Sequence, residues 1–241
     1  MSRPITQTTR SKREGLEIDV TRARTGDVAA VRSLLLQHFG YIYLNLLGTD
    51  KERASATLDL ILKANQGQHP LGYKTFYVAQ SKDHHQKRTY GILKFKMKSP
   101  GEGPSTLLAG LSVLKILLRN IGLRGTFRTL RKWFAIRSIN ADVEADELHV
   151  VYLAVSDAVR RRHVGKQLLN FAKMIAVAER KKTLSLYVRE KNVDALSFFL
   201  NQGFSIDRTV IDTEADNLLM QGASTRMTMK VLTPTEGFDQ Q

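Results

Sequence analysis

Cysteine is absent from the 241 residues, which excludes disulfides, thiolate metal ligands and cysteine nucleophiles and leaves the redox compartment unspecified. No uncharged apolar run approaches the about 18 residues that a membrane-spanning helix needs. The longest, from Leu107 to Leu118, is interrupted by Lys115. The N-terminal stretch has no apolar signal segment, and the chain holds neither an internal repeat nor a low-complexity block. No His, Asp and Glu spacing fits a metal site, so none is expected. Nor does any Gly-x-Ser-x-Gly segment suggest a serine hydrolase. Acids are scarce: 23 Asp and Glu face 37 Lys and Arg, a formal net charge of +14. That surplus suits an anionic partner, whether a phosphorylated cofactor, nucleic acid or an acidic membrane face.

What is there reads as an ordinary globular chain, 42% hydrophobic and 25% charged, long enough to bury a substantial core. Residues 1–16, with Arg3, Arg10, Lys12 and Arg13 against Glu14, are expected to be a disordered basic leader. Residues 233–241 are expected to be a flexible tail, and 17–232 a folded domain in the cytoplasm. Glu17 to Arg22 reads as a strand, and Asp27 to His38 as a helix with Val28, Val31, Leu34 and Leu35 on one face. Thr49-Asp50-Lys51-Glu52 has the spacing of a capping box opening a second helix to about Asn65. Strands are expected over Lys74 to Gln80 and Arg88 to Lys98, joined as a hairpin. His84 and His85 fall in its polar connection, where solvent is the expected neighbour.

Residues 105–140 differ in character. Lys115, Arg119, Arg124, Arg128, Arg131, Lys132 and Arg137 stand among apolar and aromatic residues with no acid between them. The pattern predicts a basic helical insertion in two pieces, broken at Gly122 and Gly125, with an anionic surface as one expected partner.

The last third alternates regularly: a strand over Glu147 to Val155, a helix from Gly165 to Arg180, a strand over Thr183 to Val188, a helix from Val193 to Gln202. Strands over Phe204 to Asp212 and Arg226 to Val231 close the chain. A strand, helix and strand of these lengths imply a parallel pair with a right-handed crossover. Between the first strand and helix lies Ser156 to Val164, a basic turn with Arg160, Arg161, Arg162 and His163, followed by Gly165 and Lys166. Such a turn offers free backbone N–H groups and the positive end of a helix dipole, a setting that favours phosphate. From these residues alone a solvated basic turn is an equal alternative.

The turn resembles motif A of the GNAT superfamily, Arg/Gln-x-x-Gly-x-Gly/Ala, with Arg160 at the first position, Gly165 at the last and His163 in place of the middle glycine. A second segment resembles motif B: Leu184 to Val188, then Asn192-Val193-Asp194-Ala195-Leu196-Ser197-Phe198-Phe199, then Gly203-Phe204. The resemblance implies an α/β fold, a mixed and mostly antiparallel sheet split at a central parallel pair and flanked by helices. It implies acetyl-CoA as donor, bound in that split along Leu153, Ala154 and Val155. The pyrophosphate would rest on the turn from Arg160 through Val164 to Lys166, with Asn192 and Phe199 beside the pantetheine. The thioester oxygen would accept from the Leu153 N–H.

Catalysis on this pattern needs a base and a proton donor. Counting back along the strand, His149 falls where the family often carries a glutamate, and Glu147 shares its face. Phe199 stands where the family's tyrosine acid would be; Tyr187 and Tyr152 are substitutes to consider. The activity implied is N-acetyl transfer to a primary amine of a small molecule or peptide, with homodimerisation left open. Two rivals stand beside it: a CoA-binding module without catalysis, and a basic adaptor for nucleic acid or an anionic membrane surface.

Overall fold

The computed structural model describes residue 16 and residues 18–48, 50–82, 88–98, 105–139, 143–210 and 223–231. The expected leader up to residue 15, the tail, Thr49, and His84 with His85 lie outside the described residues. Seven strands form one sheet in the order β1-β2-β3-β4-β5-β7-β6. They are β1 (Ile18–Arg22), β2 (Tyr77–Ser81), β3 (Thr89–Met97), β4 (Glu147–Val155), β5 (Thr183–Arg189), β6 (Ser205–Val210) and β7 (Ser224–Lys230). Every neighbouring pair is antiparallel except β4 with β5. This is the expected mixed sheet with one central parallel pair, and the helix between those two strands supplies the crossover.

Helices cover both faces. On one lie α1 (Val28–Leu47), α2 (Lys51–Lys63) and α3 (Ser105–Ile139); on the other lies α4 (Val164–Ala178), with α5 (Val193–Asn201) beside it. α4 is amphipathic in sequence and in place: Val164, Leu168, Leu169, Ala172 and Ala176 are all buried against Leu148, Val150, Leu184 and Leu186 of the central strands. Each leucine buried in this way stabilises the fold by about 1.5–3 kcal/mol. Asp50, one residue beyond the expected Thr49, caps α2, its carboxylate accepting from the N–H groups of Glu52 and Arg53 at 3.0 and 3.1 Å. A carboxylate there also matches the helix dipole. α1 runs nine residues past the expected end, because Phe39 leaves helical geometry (φ −125°, ψ 18°) and the chain then resumes a helix as a second piece. α3 breaks at Gly122, whose φ of 70° and ψ of 177° suit a residue without Cβ.

Two features of β4 set the geometry at the centre of the sheet. Its pairing with β5 runs from Glu147↔Thr183 to Val150↔Leu186 and stops, while its pairing with β3 continues to Gly91↔Val155. The two central strands therefore part after residue 150. A bulge opposite Lys94 and Phe95 adds a residue to β4 near position 151. Alternation consequently slips by one. Leu148 and Val150 face α4 before the bulge, Leu153 and Val155 after it, and Tyr152 and Ala154 turn toward α1 and α2.

Candidate active site

The face of the sheet opposite α4 carries a row of polar side chains at the level where β4 and β5 are still paired. Glu147 and His149 come from β4, Ser185 and Tyr187 from β5, and Arg226 from β7. On each strand the intervening residues (Leu148, Leu184, Leu186, Met227) fill the α4 core, so alternation forces these to the other side. Their register is direct, with His149 beside Ser185 and Tyr187 beside Arg226.

All but Tyr187 are linked in one hydrogen-bonded chain. Arg226 Nη2 donates to Glu147 Oε2 at 2.9 Å and Nη1 to the Asp207 carboxylate. The Ser185 hydroxyl donates to Glu147 Oε1, and its oxygen lies 2.7 Å from His149 Nδ1. Because the serine proton goes to the carboxylate, His149 must donate from Nδ1, which leaves Nε2 as the basic nitrogen of a neutral imidazole. Burial pushes the His149 pKa below its ordinary value, against the opposing pull of Glu147. Burial alone would raise the Glu147 carboxyl, but His149, whose Nδ1 lies 3.7 Å from Oε1, the Glu144 N–H and the Arg226 charge together hold it below the usual range. Glu147 is 1% and His149 2% exposed. These are interior groups, neither a surface acid nor an exposed strand histidine.

Ser185, Arg226 and Asp207 were not singled out in the sequence. A lone serine between Leu184 and Leu186, and an arginine alternating with apolar residues in Thr225-Arg226-Met227, are faint signals that only the β4–β5–β7 register makes meaningful. His38 was also missed: it comes to the backbone of Val155 and near the Asp157 carboxylate, and burial lowers its pKa.

Above the point where the strands part, β4 leads into the basic turn. Arg160, Arg161, Arg162, His163 and Lys166 are all exposed, with Arg160 held by Asp157 at 2.5 Å. Arg161 and His163 both have φ of 63°. The left-handed backbone at His163 explains why the family pattern prefers glycine there. α4 then begins at Val164 with no side-chain hydrogen bond to cap it. The first-turn N–H groups of Val164, Gly165 and Lys166 thus lack helical acceptors and sit inside a basic field. A Cβ on Gly165 would make ordinary van der Waals contact with Phe198 at 3.4 Å and Val155 at 3.6 Å, so packing within the chain tolerates an alanine but leaves little room beyond it.

Asn192 caps α5, its Oδ1 accepting from the Ala195 N–H at 3.2 Å, which leaves its amide NH₂ available. Phe199 is buried against Phe198 and Phe204. Of the two tyrosines considered as substitutes, Tyr152 is enclosed by Phe39 and Phe76 and bonded to Tyr43 at 3.2 Å. Tyr187 lies one residue beyond the last β4–β5 pair with its ring 5.4 Å from that of His149. On the same side, Arg189 stacks over Tyr41 at 3.9 Å, bringing the second piece of α1 to the end of β5. Among the described residues no His, Asp and Glu group could hold a metal ion, and no helix is long and apolar enough to cross a membrane.

Residues 125–204 match the Acetyltransferase (GNAT) family. No curated protein matches the chain in sequence. Among solved structures, one described as an acetyltransferase is similar at a TM-score of 0.54 and 18% identity, covering 89% of this chain and 100% of its own. Ard1 from Thermoplasma volcanium is similar at 0.50 and 15%, covering 89% and 98%. At these identities the likeness is one of fold, and the fold is that of the GNAT acetyltransferases.

Proposed function

We propose that this chain, which carries a GNAT-family segment on a GNAT fold, transfers an acyl group, acetyl by default, from acyl-CoA to a primary amine. The observation that carries the reading is the parting of β4 from β5 immediately before an uncapped, arginine-rich helix N-terminus. The free edge of residues 151–155 suits an added strand, which the pantetheine amides supply, and the N–H of Leu153 suits a developing oxyanion. Arg160 to Lys166 hold the pyrophosphate, and the Asn192 amide reaches the pantetheine.

His149 is the base. Through a water, its Nε2 accepts the proton that the amine loses as nitrogen bonds to the carbonyl carbon, and the carbon–sulfur bond then breaks. Ser185 fixes the tautomer, Glu147 favours the imidazolium that forms, and Arg226 holds the Glu147 carboxylate in place while itself opposing charge on the histidine. The leaving thiolate takes a proton from Tyr187 or from water, a modest demand for a thiol of pKa near 8.5. Glu147, with both carboxylate oxygens already engaged, is a positioning residue.

The buried Phe199 favours one other reading, a domain that holds CoA without turnover. Calorimetry and thiol release separate the two. Reversing charge at Arg161, Arg162 and Lys166 together is expected to weaken CoA by tenfold or more, about 1.4 kcal/mol at the least. Unchanged affinity would remove the turn from the CoA site. A side chain larger than alanine at Gly165 is a poorer probe, since it would press on Phe198 and Val155 whatever the ligand does. Tight CoA binding with no thiol release from any amine would favour the non-catalytic domain.

A further inference from the structure

α3 has two unlike sides. Inward, Leu117, Thr126 and Thr129 are buried; the Thr129 hydroxyl donates to the Leu46 carbonyl at 2.5 Å and Lys132 Nζ to that of Asn45 at 2.9 Å. These bonds clamp the second piece of α3 to the end of α1. Outward, Leu123, Phe127, Leu130 and Phe134 recur at helical spacing and are 77, 72, 36 and 65% exposed. Arg124, Arg128 and Arg131, also exposed, form the adjoining stripe. The earlier piece adds exposed Leu111 and Leu118 with Lys115 between them. From Ser105 to Ile139 there is no acid.

We infer that this outward face of α3 lies on an anionic lipid surface, independently of whether the sheet catalyses acyl transfer. An apolar crest beside a basic stripe needs an environment that is hydrocarbon at one depth and negatively charged at another, which the headgroup boundary of an anionic bilayer provides. A nucleic acid would neutralise the arginines but leave Leu123, Phe127 and Phe134 without an apolar neighbour. A second copy of the chain meeting face to face would cover the crest but oppose two acid-free basic stripes. The clamp to Asn45 and Leu46 means that such a surface holds α1, and with it the Tyr41–Arg189 contact at the end of β5, in a fixed orientation.

The full chain is tested by co-sedimentation with phosphatidylglycerol-rich and with pure phosphatidylcholine vesicles. Trp133, the only tryptophan and 37% exposed on α3, reports through its emission. Expected are sedimentation and a blue shift with the anionic vesicles alone, weakened steeply by salt. Replacing Arg124, Arg128 and Arg131 by Gln should lower partitioning by roughly 100-fold. Phe127→Ser with Phe134→Ser, both at exposed positions, should lower it at least about tenfold with the fold intact by circular dichroism. Failure to bind anionic vesicles, or binding unaffected by the Phe127 and Phe134 changes, overturns the inference. So does duplex or single-stranded nucleic acid binding that depends on the arginines alone, or self-association abolished by Phe127→Ser.

Discussion

The two faces of the sheet solve different problems. The α4 side is a plain apolar layer in which Leu148, Val150, Leu168, Leu169, Leu184 and Leu186 interlock with scarcely a polar atom. The α1–α3 side buries charge in two places and treats it differently. Glu147 is met by Arg226, Ser185 and, through the serine, His149. Lys94, only two strand residues from Lys96 and buried among Phe76, Tyr152 and the Pro70 carbonyl, has no carboxylate partner among its described contacts. Burial, with some help from Lys96, pushes its pKa down to about 8. A paired interior charge is costly to break, whereas a buried ammonium held by one carbonyl and two ring faces is costly to keep.

The sharpest way to test this contrast is at His149. His149→Ala should lower the rate by about 100- to 10,000-fold while leaving CoA affinity unchanged. With its pKa depressed, the imidazole is already neutral at pH 7, so the acid limb of the wild-type rate should fall below pH 6.5 and vanish in the variant. An unaltered limb would make the histidine a bystander. Arg226→Met should come next, costing about 3–5 kcal/mol in denaturant unfolding, because it strands the Glu147 carboxylate. Two linked groups give that loss a pH signature. Glu147, held below its ordinary value, contributes stability at neutral pH that fades as pH drops through the acidic range. His149, kept neutral, adds stability that is complete above about pH 6.5 and declines below it. Acid should therefore destabilise wild type more than Arg226→Met.

Lys94→Met should move the other way, gaining on the order of 2 kcal/mol at pH 7. The folded state binds its proton less readily than the unfolded chain. Wild-type stability should accordingly rise with pH between about 8 and 10.5, a rise absent from the variant. A loss on replacing Lys94 would mean that its carbonyl and ring contacts outweigh desolvation. The smallest effect belongs to the turn: His163→Gly relieves a left-handed backbone at the expense of unfolded-state entropy, for a net gain of at most about 1 kcal/mol.

The same contrast governs which parts of the molecule were legible in the sequence. β4, α4, β5 and α5 succeed one another in the chain, and their periodicities placed their bounds to within two residues; the basic turn stood out for the same reason. The polar row did not, since Ser185 and Arg226 acquire meaning only from the pairing of β4, β5 and β7. The bulge near residue 151 left no mark in the apolar run from Val150 to Val155, although it decides that Tyr152 faces Phe39 and Phe76. On α1, Gly40 and the aromatic residues after it obscured a second helical piece that the contacts with α2 and α3 stabilise. Thr49 looked like a cap until Asp50 proved to be the residue with its carboxylate on the helix N–H groups.

Amine-dependent release of free thiol from acetyl-CoA tests the central claim most directly. It is measured at pH 8 across polyamines, aminoglycosides, amino acids and peptide N-termini. The account predicts at least one amine that drives saturable release in wild type, with the rate largely lost in His149→Ala and CoA binding retained. Release no faster than buffer for every amine, from a folded protein that binds CoA, would contradict it.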